Sequence, residues 1–81
     1  MLQDSFETSV LYDFYGPLLS EKQQHFVELY HLENCSLTEI ADIEGITKQA
    51  VSQNLKRAEK ALINYEDKLG LVARWKRENG I

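Results

Sequence analysis

Apolar residues recur every three or four positions along almost the whole chain, and strictly alternating β-branched runs are absent. This is the period of amphipathic α-helices rather than of β-strands. The first such stretch predicts a helix from Asp4 or Ser5 to about Tyr15. Gly16 and Pro17 follow directly and end it. The predicted buried face of this helix comprises Phe6, Val10, Leu11 and Phe14.

A capping box marks the start of the second predicted helix. Ser20 stands three residues before Gln23, so its hydroxyl can accept the backbone N–H of Gln23 while the glutamine side chain reaches back. The pattern behind it predicts a helix that fades near Leu32. The predicted buried stripe of this helix comprises Phe26, Val27, Leu29 and Tyr30.

The third and fourth predicted helices lie on either side of one glycine. Ser36 and Glu39 form a second capping box and open a short helix, which Gly45 closes by adopting the left-handed conformation. Thr47 caps the fourth helix. This helix meets no proline and no glycine before Gly70, so it is predicted to run to about residue 68. Gly70 either ends or kinks it, and the sequence leaves both open.

The spacing of small and apolar residues around this turn is typical of helix-turn-helix motifs. Ala41 is followed by Gly45 after four positions and by Val51 after six more. A small side chain at Ala41 lets the two helices approach, and glycine accepts a positive φ in the turn. Val51 is predicted to pack with Ile40 and Leu55. The sequence therefore predicts an all-α helix-turn-helix bundle with one long helix.

The outward face of the fourth helix combines cations with side chains that can read bases. No acid occurs between Gly45 and Ala58. Glutamine can bond adenine, and lysine or arginine can bond guanine, in a major groove. A polar, solvated helix face is the alternative interpretation. The predicted nucleic-acid-binding residues are Thr47, Lys48, Gln49, Ser52, Gln53, Lys56, Arg57 and Lys60.

Charge is distributed unequally between the two parts of the chain. Residues 1–45 carry one base and nine acids, a net charge of −8, whereas residues 46–81 carry eight bases and four acids, a net charge of +4. The overall charge of −4 hides this split. The basic C-terminal segment also contains Arg74, Lys76 and Arg77 around Trp75, which suits stacking on an unpaired base, although packing is the alternative role for the indole.

Length and cysteine content limit the class of protein. A chain of 81 residues buries only roughly 60% of its unfolded surface, so a second subunit is expected to help stabilise it. Cys35 is the only cysteine, which excludes an internal disulfide and suits a reducing compartment. No segment has the pattern of a signal peptide or a membrane span, so we expect a cytoplasmic protein with no membrane insertion.

A second apolar pattern continues along the long helix with alternating steps of four and three residues. Such a 3.5-residue repeat is typical of a helix–helix seam. We expect a homodimer through this seam, with the first helix covering the same residues within one chain as the alternative. The predicted dimer seam comprises Leu62, Tyr65, Leu69 and Val72.

Nothing in the sequence assembles a catalytic, cofactor or metal site. His25 and His31 lie about 240° apart around one helix, so they do not converge by themselves. Cys35 precedes a helix cap, where a slightly lowered pKa is conceivable, but no base is predicted beside it. We therefore expect a protein that is not an enzyme and needs no cofactor.

A long central segment carries a resemblance to a known transcription domain. It contains Leu18-Leu19-Ser20-Glu21-Lys22-Gln23, Ser36-Leu37-Thr38-Glu39-Ile40-Ala41, Gly45-Ile46-Thr47-Lys48-Gln49-Ala50-Val51-Ser52 and Leu55-Lys56-Arg57-Ala58. This segment looks like the region of sigma factors that reads the promoter −35 element. The resemblance implies a sigma region 4-like fold. From the helix pattern we expect a single helical domain over residues 1–81, with an N-terminal helix over residues 1–17, a helix-turn-helix core over 18–60 and a C-terminal helix with the dimer seam and basic tail over 61–81.

A closer resemblance extends over nearly the whole chain. It is carried by Tyr12-Asp13-Phe14-Tyr15, Leu18-Leu19, Lys22-Gln23, Leu29-Tyr30, Ser36-Leu37, Glu39-Ile40-Ala41, Gln49-Ala50-Val51, Lys56-Arg57 and Tyr65-Glu66-Lys68-Leu69. These segments resemble the bacterial YlxM family of small helix-turn-helix proteins, encoded beside components of the signal recognition particle. The resemblance implies a cytoplasmic regulator linked to that pathway. DNA is expected as the ligand ahead of RNA, and a protein-binding adaptor is the rival function.

Overall fold

The computed structural model describes the backbone of residues 5–81 and the side chains of residues 7–81. Within these residues the chain forms five α-helices and no strand, which confirms the predicted all-α helix-turn-helix fold. The predicted role of Phe6 lies outside the described side chains. The helices are α1 (Ser5–Tyr15), α2 (Glu21–Val27), α3 (Leu37–Glu44), α4 (Lys48–Leu69) and α5 (Leu71–Glu78).

Side-chain caps fix the start of α2, α3 and α4 where the sequence predicted them. The Ser20 hydroxyl accepts the backbone N–H of Gln23 at 3.1 Å, and the Gln23 side chain accepts the N–H of Ser20 at 3.1 Å. The same reciprocal pair joins Ser36 and Glu39. Each cap satisfies N–H groups that have no partner inside the helix, so each helix begins at a defined residue.

Two glycines in the left-handed conformation end α3 and α4. Gly45 has φ +68° and Gly70 has φ +63°. A Cβ at either position would meet no neighbouring atom, so backbone conformation rather than space requires glycine there. Gly70 therefore ends α4, and α5 begins at the next residue.

A π-helical turn extends α2 from Glu28 to Leu32, where a regular helix was predicted. The irregular turn changes which side chains face inward at this end of the helix. Leu29 is buried as predicted, Tyr30 is only half-buried, and His31 is buried beside them. The prediction that the helix ends near Leu32 is confirmed.

Two apolar clusters form the interior, and α4 contributes to both of them. The motif cluster comprises Phe26, Leu29, Ile40, Ala41, Val51 and Leu55. The terminal cluster comprises Leu11, Tyr15, Leu19, Val27, Ala58, Leu62 and Val72. Because α4 runs without a break through residue 60, the predicted core and C-terminal segments share one continuous helix.

The buried face of α1 differs from the predicted one. Leu11 is buried, but Val10 and Phe14 are only partly buried. Thr8 and Tyr15 are buried in their place. Their polar groups did not suggest burial, but a tyrosine hydroxyl can be buried when it has a hydrogen-bond partner, as Tyr15 has in α4. The hydrophobic pattern alone therefore selected a face that is slightly rotated around α1.

The residues of the predicted dimer seam are largely covered within one chain. Leu62 and Val72 are buried in the terminal cluster beneath α1. Tyr65 is half-buried, and its hydroxyl donates to the carbonyl of Leu18 at 3.3 Å. Leu69 is 53% exposed. The intramolecular alternative thus accounts for most of the seam, and the homodimer stays a prediction. Along the described chain, no helix combines the length and apolarity that crossing a bilayer requires.

Candidate nucleic-acid interface

Ala41, Gly45 and Val51, the three residues of the helix-turn-helix spacing, form the turn between α3 and α4. The backbone N–H groups of Gly45 and Ile46 both donate to the carbonyl of Ala41, which closes α3 tightly. Ala41 and Val51 are buried together in the motif cluster with Ile40. The small alanine and the left-handed glycine therefore bring the first turn of α4 against α3, as the spacing predicted.

One side of α4 is left uncovered by this packing. Val51, Leu55 and Ala58 point into the two clusters. Thr47, whose hydroxyl accepts the N–H of Ala50 at 3.0 Å, lies at the exposed start of the helix. Ser52 is half-buried. The exposed side chains on this side of α4 are Lys48, Gln49, Gln53, Lys56, Arg57 and Lys60. We call these six residues the α4 face.

No carboxylate among the described side chains neutralises the positive charge at the start of α4 through an ion pair. Within residues 7–81 no ion pair links Lys48, Lys56 or Arg57 to a carboxylate. The first acid on α4 is Glu59, whose side chain is 2% exposed and contacts His31 instead of the surface. The α4 face therefore presents its cations and two glutamines to any ligand that approaches α4.

Two of the three acids of α3, Glu39 and Glu44, make local contacts. Hydrogen bonds from the backbone N–H and hydroxyl of Ser36 hold the pKa of Glu39 below its usual range. The carboxylate of Glu44 lies 3.0 Å from Nε2 of His25, which links α3 to α2. These contacts hold α3 in position, so the carboxylates of Glu39 and Glu44 stabilise the fold.

His25 and His31 do not contact each other, but each of them contacts a glutamate. His31 Nε2 lies 2.6 Å from Glu59 Oε2, and both side chains are at most 2% exposed. This pair joins the π-helical turn to α4. No pattern in the sequence predicted this pair, because 28 positions separate the two residues and only the tertiary fold brings them together.

Two tyrosines of α1 donate hydrogen bonds to glutamates in other parts of the fold. The Tyr12 hydroxyl donates to Glu28, and burial together with the hydrogen bond and charge of Glu28 raises the pKa of Tyr12 to about 12. The Tyr15 hydroxyl donates to Glu66 of α4. Burial and that same hydrogen bond raise the pKa of Tyr15. Both contacts were missed, since each joins residues far apart in sequence.

Cys35 is half-buried and has no activated thiol. Burial, followed by the charges of Glu39 and Glu33, raises its pKa. The lowered pKa that a helix start can produce is therefore not found, because burial and the nearby carboxylates outweigh that effect. Across the described residues, no group of three or more histidine, cysteine or acidic side chains is placed to hold a metal ion.

Comparison with known proteins shows relatives along almost the full chain. Residues 2–81 match the family described as "Putative helix-turn-helix protein, YlxM / p13 like", or UPF0122. A UPF0122 protein of Desulforamulus reducens is 49% identical over 78 residues, which cover 96% of this chain and 67% of that protein. The relative in Symbiobacterium thermophilum is 47% identical over 94% of this chain and 71% of its own length. The relative in Geobacillus kaustophilus is 42% identical over 100% and 74%.

Proposed function

We propose, since the chain belongs to the UPF0122 family of YlxM/p13-like helix-turn-helix proteins, that it binds nucleic acid through the α4 face. The observation that carries this proposal is the exposed run of cations and glutamines on the first three turns of α4, uninterrupted by an exposed acid. Attraction to phosphates supplies most of the affinity of such a surface, and base contacts supply the specificity.

The side chains of the α4 face divide into two groups with different roles. Gln49 and Gln53 are one turn apart and are proposed to contact base edges, because glutamine pairs well with adenine in the major groove. Lys48, Lys56 and Arg57 are proposed to contact phosphates or guanine, and Lys60 is proposed to contact a phosphate. Thr47 and Ser52 lie beside them at the start of α4, where backbone N–H groups favour an anion.

Duplex DNA is the preferred ligand in this proposal. The major groove of B-DNA is about 12 Å wide and admits an α-helix. The major groove of A-form RNA is deep and narrow, so a helix cannot read bases there. The proposed role is that of a cytoplasmic regulatory protein. The resemblance to the YlxM family adds signal recognition particle components as proposed partners, and a homodimer would place two α4 faces on adjacent half-sites.

The proposal is tested by fluorescence anisotropy of the full chain with labelled duplex DNA over a salt series. Each phosphate contact contributes a slope of about −0.9 to log affinity against log salt. The variant Lys48→Glu/Lys56→Glu is expected to reduce this slope by about two and to weaken binding strongly. Gln49→Ala/Gln53→Ala is expected to leave the slope unchanged and to reduce discrimination between DNA sequences.

The matched control is Lys22→Glu/Lys68→Glu, which makes the same charge change at two exposed positions outside the α4 face. If the control weakens binding as much as the α4 variant does, net charge rather than the α4 face attracts the DNA, and the proposal is wrong. If the unaltered chain binds neither duplex DNA nor structured RNA at low salt, the fold serves as a protein-binding adaptor instead.

A further inference from the structure

The last helix presents a second surface that combines cations with an exposed aromatic ring. Successive residues of a helix are about 100° apart, so Arg77, Arg74, Leu71 and Trp75 lie on one side of α5, with the acid Glu78 between Arg74 and Leu71. All four are exposed, with Leu71 at 42% and Trp75 at 37%. Val72 is buried on the opposite side. We call these four exposed residues the α5 surface.

The α5 surface is held rigidly in place. The Glu66 carboxylate accepts the backbone N–H groups of Val72 and Ala73, each at 3.0 Å. The Tyr15 hydroxyl accepts the N–H of Leu71 at 3.1 Å. These hydrogen bonds satisfy the first N–H groups of α5, and the burial of Val72 fixes the helix against α1. The α5 surface is therefore already formed before a ligand binds, so binding requires little further ordering of the backbone.

Trp75 is supported from one side and open on the other. Its ring meets Phe14 of α1 in an edge-to-face contact, with centroids 6.0 Å apart and planes at 62°. Such a contact orients the indole without enclosing it. A rigid, partly exposed indole beside cations is the arrangement on which nucleic acid bases stack.

The charges around Trp75 are available to an anion. Arg74 contacts Glu78 at 3.0 Å, but both side chains are more than 60% exposed, so this ion pair contributes little to stability. Arg74 can therefore exchange Glu78 for a phosphate at small cost. Arg77 is exposed one turn further on, and Lys76 lies on the other side of the helix near Glu66.

The α5 surface is separate from the α4 face. The 22 residues of α4 rise about 1.5 Å each, so the helix is roughly 33 Å long. Its first turns carry the α4 face, and α5 begins beyond its last turn. The α5 surface therefore follows the end of α4 that is farther from the α4 face.

We propose that the α5 surface is a second nucleic-acid site, in which the indole of Trp75 stacks on an unpaired base while Arg74 and Arg77 bind the flanking phosphates. A membrane surface is the less favoured ligand, because interfacial helices insert a long apolar face and only two apolar side chains are exposed here. The chemistry fits an unpaired strand of either RNA or DNA, since every base has a π-face.

The test uses Trp75 as its own reporter, because it is the only tryptophan of the chain. The full chain is titrated at low salt with unlabelled oligouridylate and with oligothymidylate, each of about ten nucleotides. A duplex of the same length serves as the comparison. Stacking is expected to quench Trp75 fluorescence with the single strands and to leave it nearly unchanged with the duplex. The two single strands distinguish RNA from DNA as the source of the unpaired base.

Two variants locate the binding. Arg74→Glu/Arg77→Glu changes only exposed side chains and is expected to weaken single-strand binding tenfold or more, whereas the control Lys22→Glu/Lys68→Glu has a clearly smaller effect. Trp75→Leu is expected to weaken it roughly tenfold in an anisotropy assay, with circular dichroism showing that the variant is folded. The variant Lys48→Glu/Lys56→Glu should keep the quenching, so failure of the α4 proposal is distinguishable from failure of this one.

Several results would overturn the second site. Quenching that is absent at low salt, equal with duplex, or lost equally in the control variant removes the evidence for a stacked base. Loss of quenching in the α4 variant would show that the two surfaces are not separate. A blue shift of Trp75 fluorescence with anionic phospholipid vesicles, without any response to single strands, would assign the α5 surface to a membrane.

Discussion

The motif cluster and the terminal cluster are stabilised by contacts of different range. In the motif cluster, α3 and α4 are neighbours in sequence, and a two-residue connection of Ile46 and Thr47 after Gly45 sets their angle. In the terminal cluster, α1 packs on the end of α4, and the bond from Tyr15 to Glu66 joins residues 51 positions apart. Local signals build the turn between α3 and α4 in the first cluster, although Phe26 and Leu29 also pack there from farther along the chain. The second cluster depends mainly on contacts between distant segments.

This difference places the α4 face on the locally specified half of the molecule. α4 belongs to both clusters, so the position of its first turns also depends on how its last turns are held. The buried pair of His31 and Glu59 lies along α4 between Leu55 of the motif cluster and Leu62 of the terminal cluster. Variants at Glu59, at Glu66 and at the two glycines that end α3 and α4 test how far the two clusters are independent.

The largest effect is expected from Glu59→Ala. This change removes the 2.6 Å partner of a buried His31, and breaking a buried pair in this way costs about 3–5 kcal/mol. Because the pair lies between the clusters, both halves should unfold in one transition. The measurement is urea unfolding at neutral pH, followed by circular dichroism for the whole chain and by Trp75 fluorescence for the terminal half.

The control for this pair is Glu59→Gln, whose amide can still bond the His31 ring and should cost clearly less. A Glu59→Ala variant as stable as the unaltered chain would mean that the pair is not a structural link. Separate transitions by the two probes would mean that the motif cluster folds independently of α1.

A smaller, pH-dependent effect is expected from Glu66→Gln. Burial opposes ionisation of Glu66, but hydrogen bonds from Tyr15, Val72 and Ala73 and the charge of Lys76 outweigh it and keep its pKa below the usual 4.5. A lowered carboxyl pKa stabilises the fold above pH 4.5, and this stabilisation is lost as pH falls through the lowered pKa. The variant should lose about 1–3 kcal/mol at neutral pH.

The difference between Glu66→Gln and the unaltered chain should therefore shrink below pH 4.5, as measured by urea unfolding at several pH values. The exposed neighbour Asp67 supplies the control, because Asp67→Asn changes the same charge without touching α5. A difference that is constant with pH would show that the ionised carboxylate is not what holds α5.

The smallest effect is expected from a matched pair of glycine substitutions. Gly45→Ala and Gly70→Ala each force a side chain into the left-handed region at φ +68° and +63° with open space around the Cβ. Each should cost about 1–2 kcal/mol. Thermal unfolding measures the stabilities, and duplex binding measures the consequence for the α4 face. Only Gly45→Ala is expected to weaken duplex binding, because Gly70 lies beyond the end of α4.

Equal losses of duplex binding in the two glycine variants would contradict the division into two halves. Such a result would mean that the position of α5 controls the α4 face through the whole length of α4. A Cβ at either glycine would meet no neighbouring atom, so the two substitutions should cost similar stability. A much larger loss at one glycine would contradict the view that backbone conformation alone sets the cost.

Much of the fold was predictable because its signals are local. A serine three residues before a glutamine or glutamate can close its hydrogen bonds without help from distant parts of the chain, as Ser20 and Ser36 do. The left-handed Gly45 and the burial of Ala41 and Val51 follow from the same short-range geometry. The exposure of the six side chains of the α4 face follows from helical periodicity once the buried side of α4 is known.

Other features depended on packing between distant residues. The period of α1 indicated Val10 and Phe14 as core, but hydrogen bonding to α4 made it favourable to bury Tyr15. The apolar seam along α4 predicted a partner helix but left open whether that helix belongs to the same chain or to a second one. In the structure, α1 of the same chain covers most of the seam. The pKa of Cys35 is raised mainly by burial and then by two glutamates, and the helix-start argument included neither.

The amino-acid sequence by itself determined the first four helices, the turn between α3 and α4, and the cationic character of the α4 face, because caps, glycines and periodicity act within a few residues. It left open whether Gly70 ends the fourth helix, and the structure shows that α5 begins there as a separate helix. Tertiary structure alone decided the π-helical turn at His31, the buried contact with Glu59 and the closure of α5 by Glu66. Those features join side chains that have no local relation. Their burial becomes favourable only when the helices pack and supply each polar group with a partner.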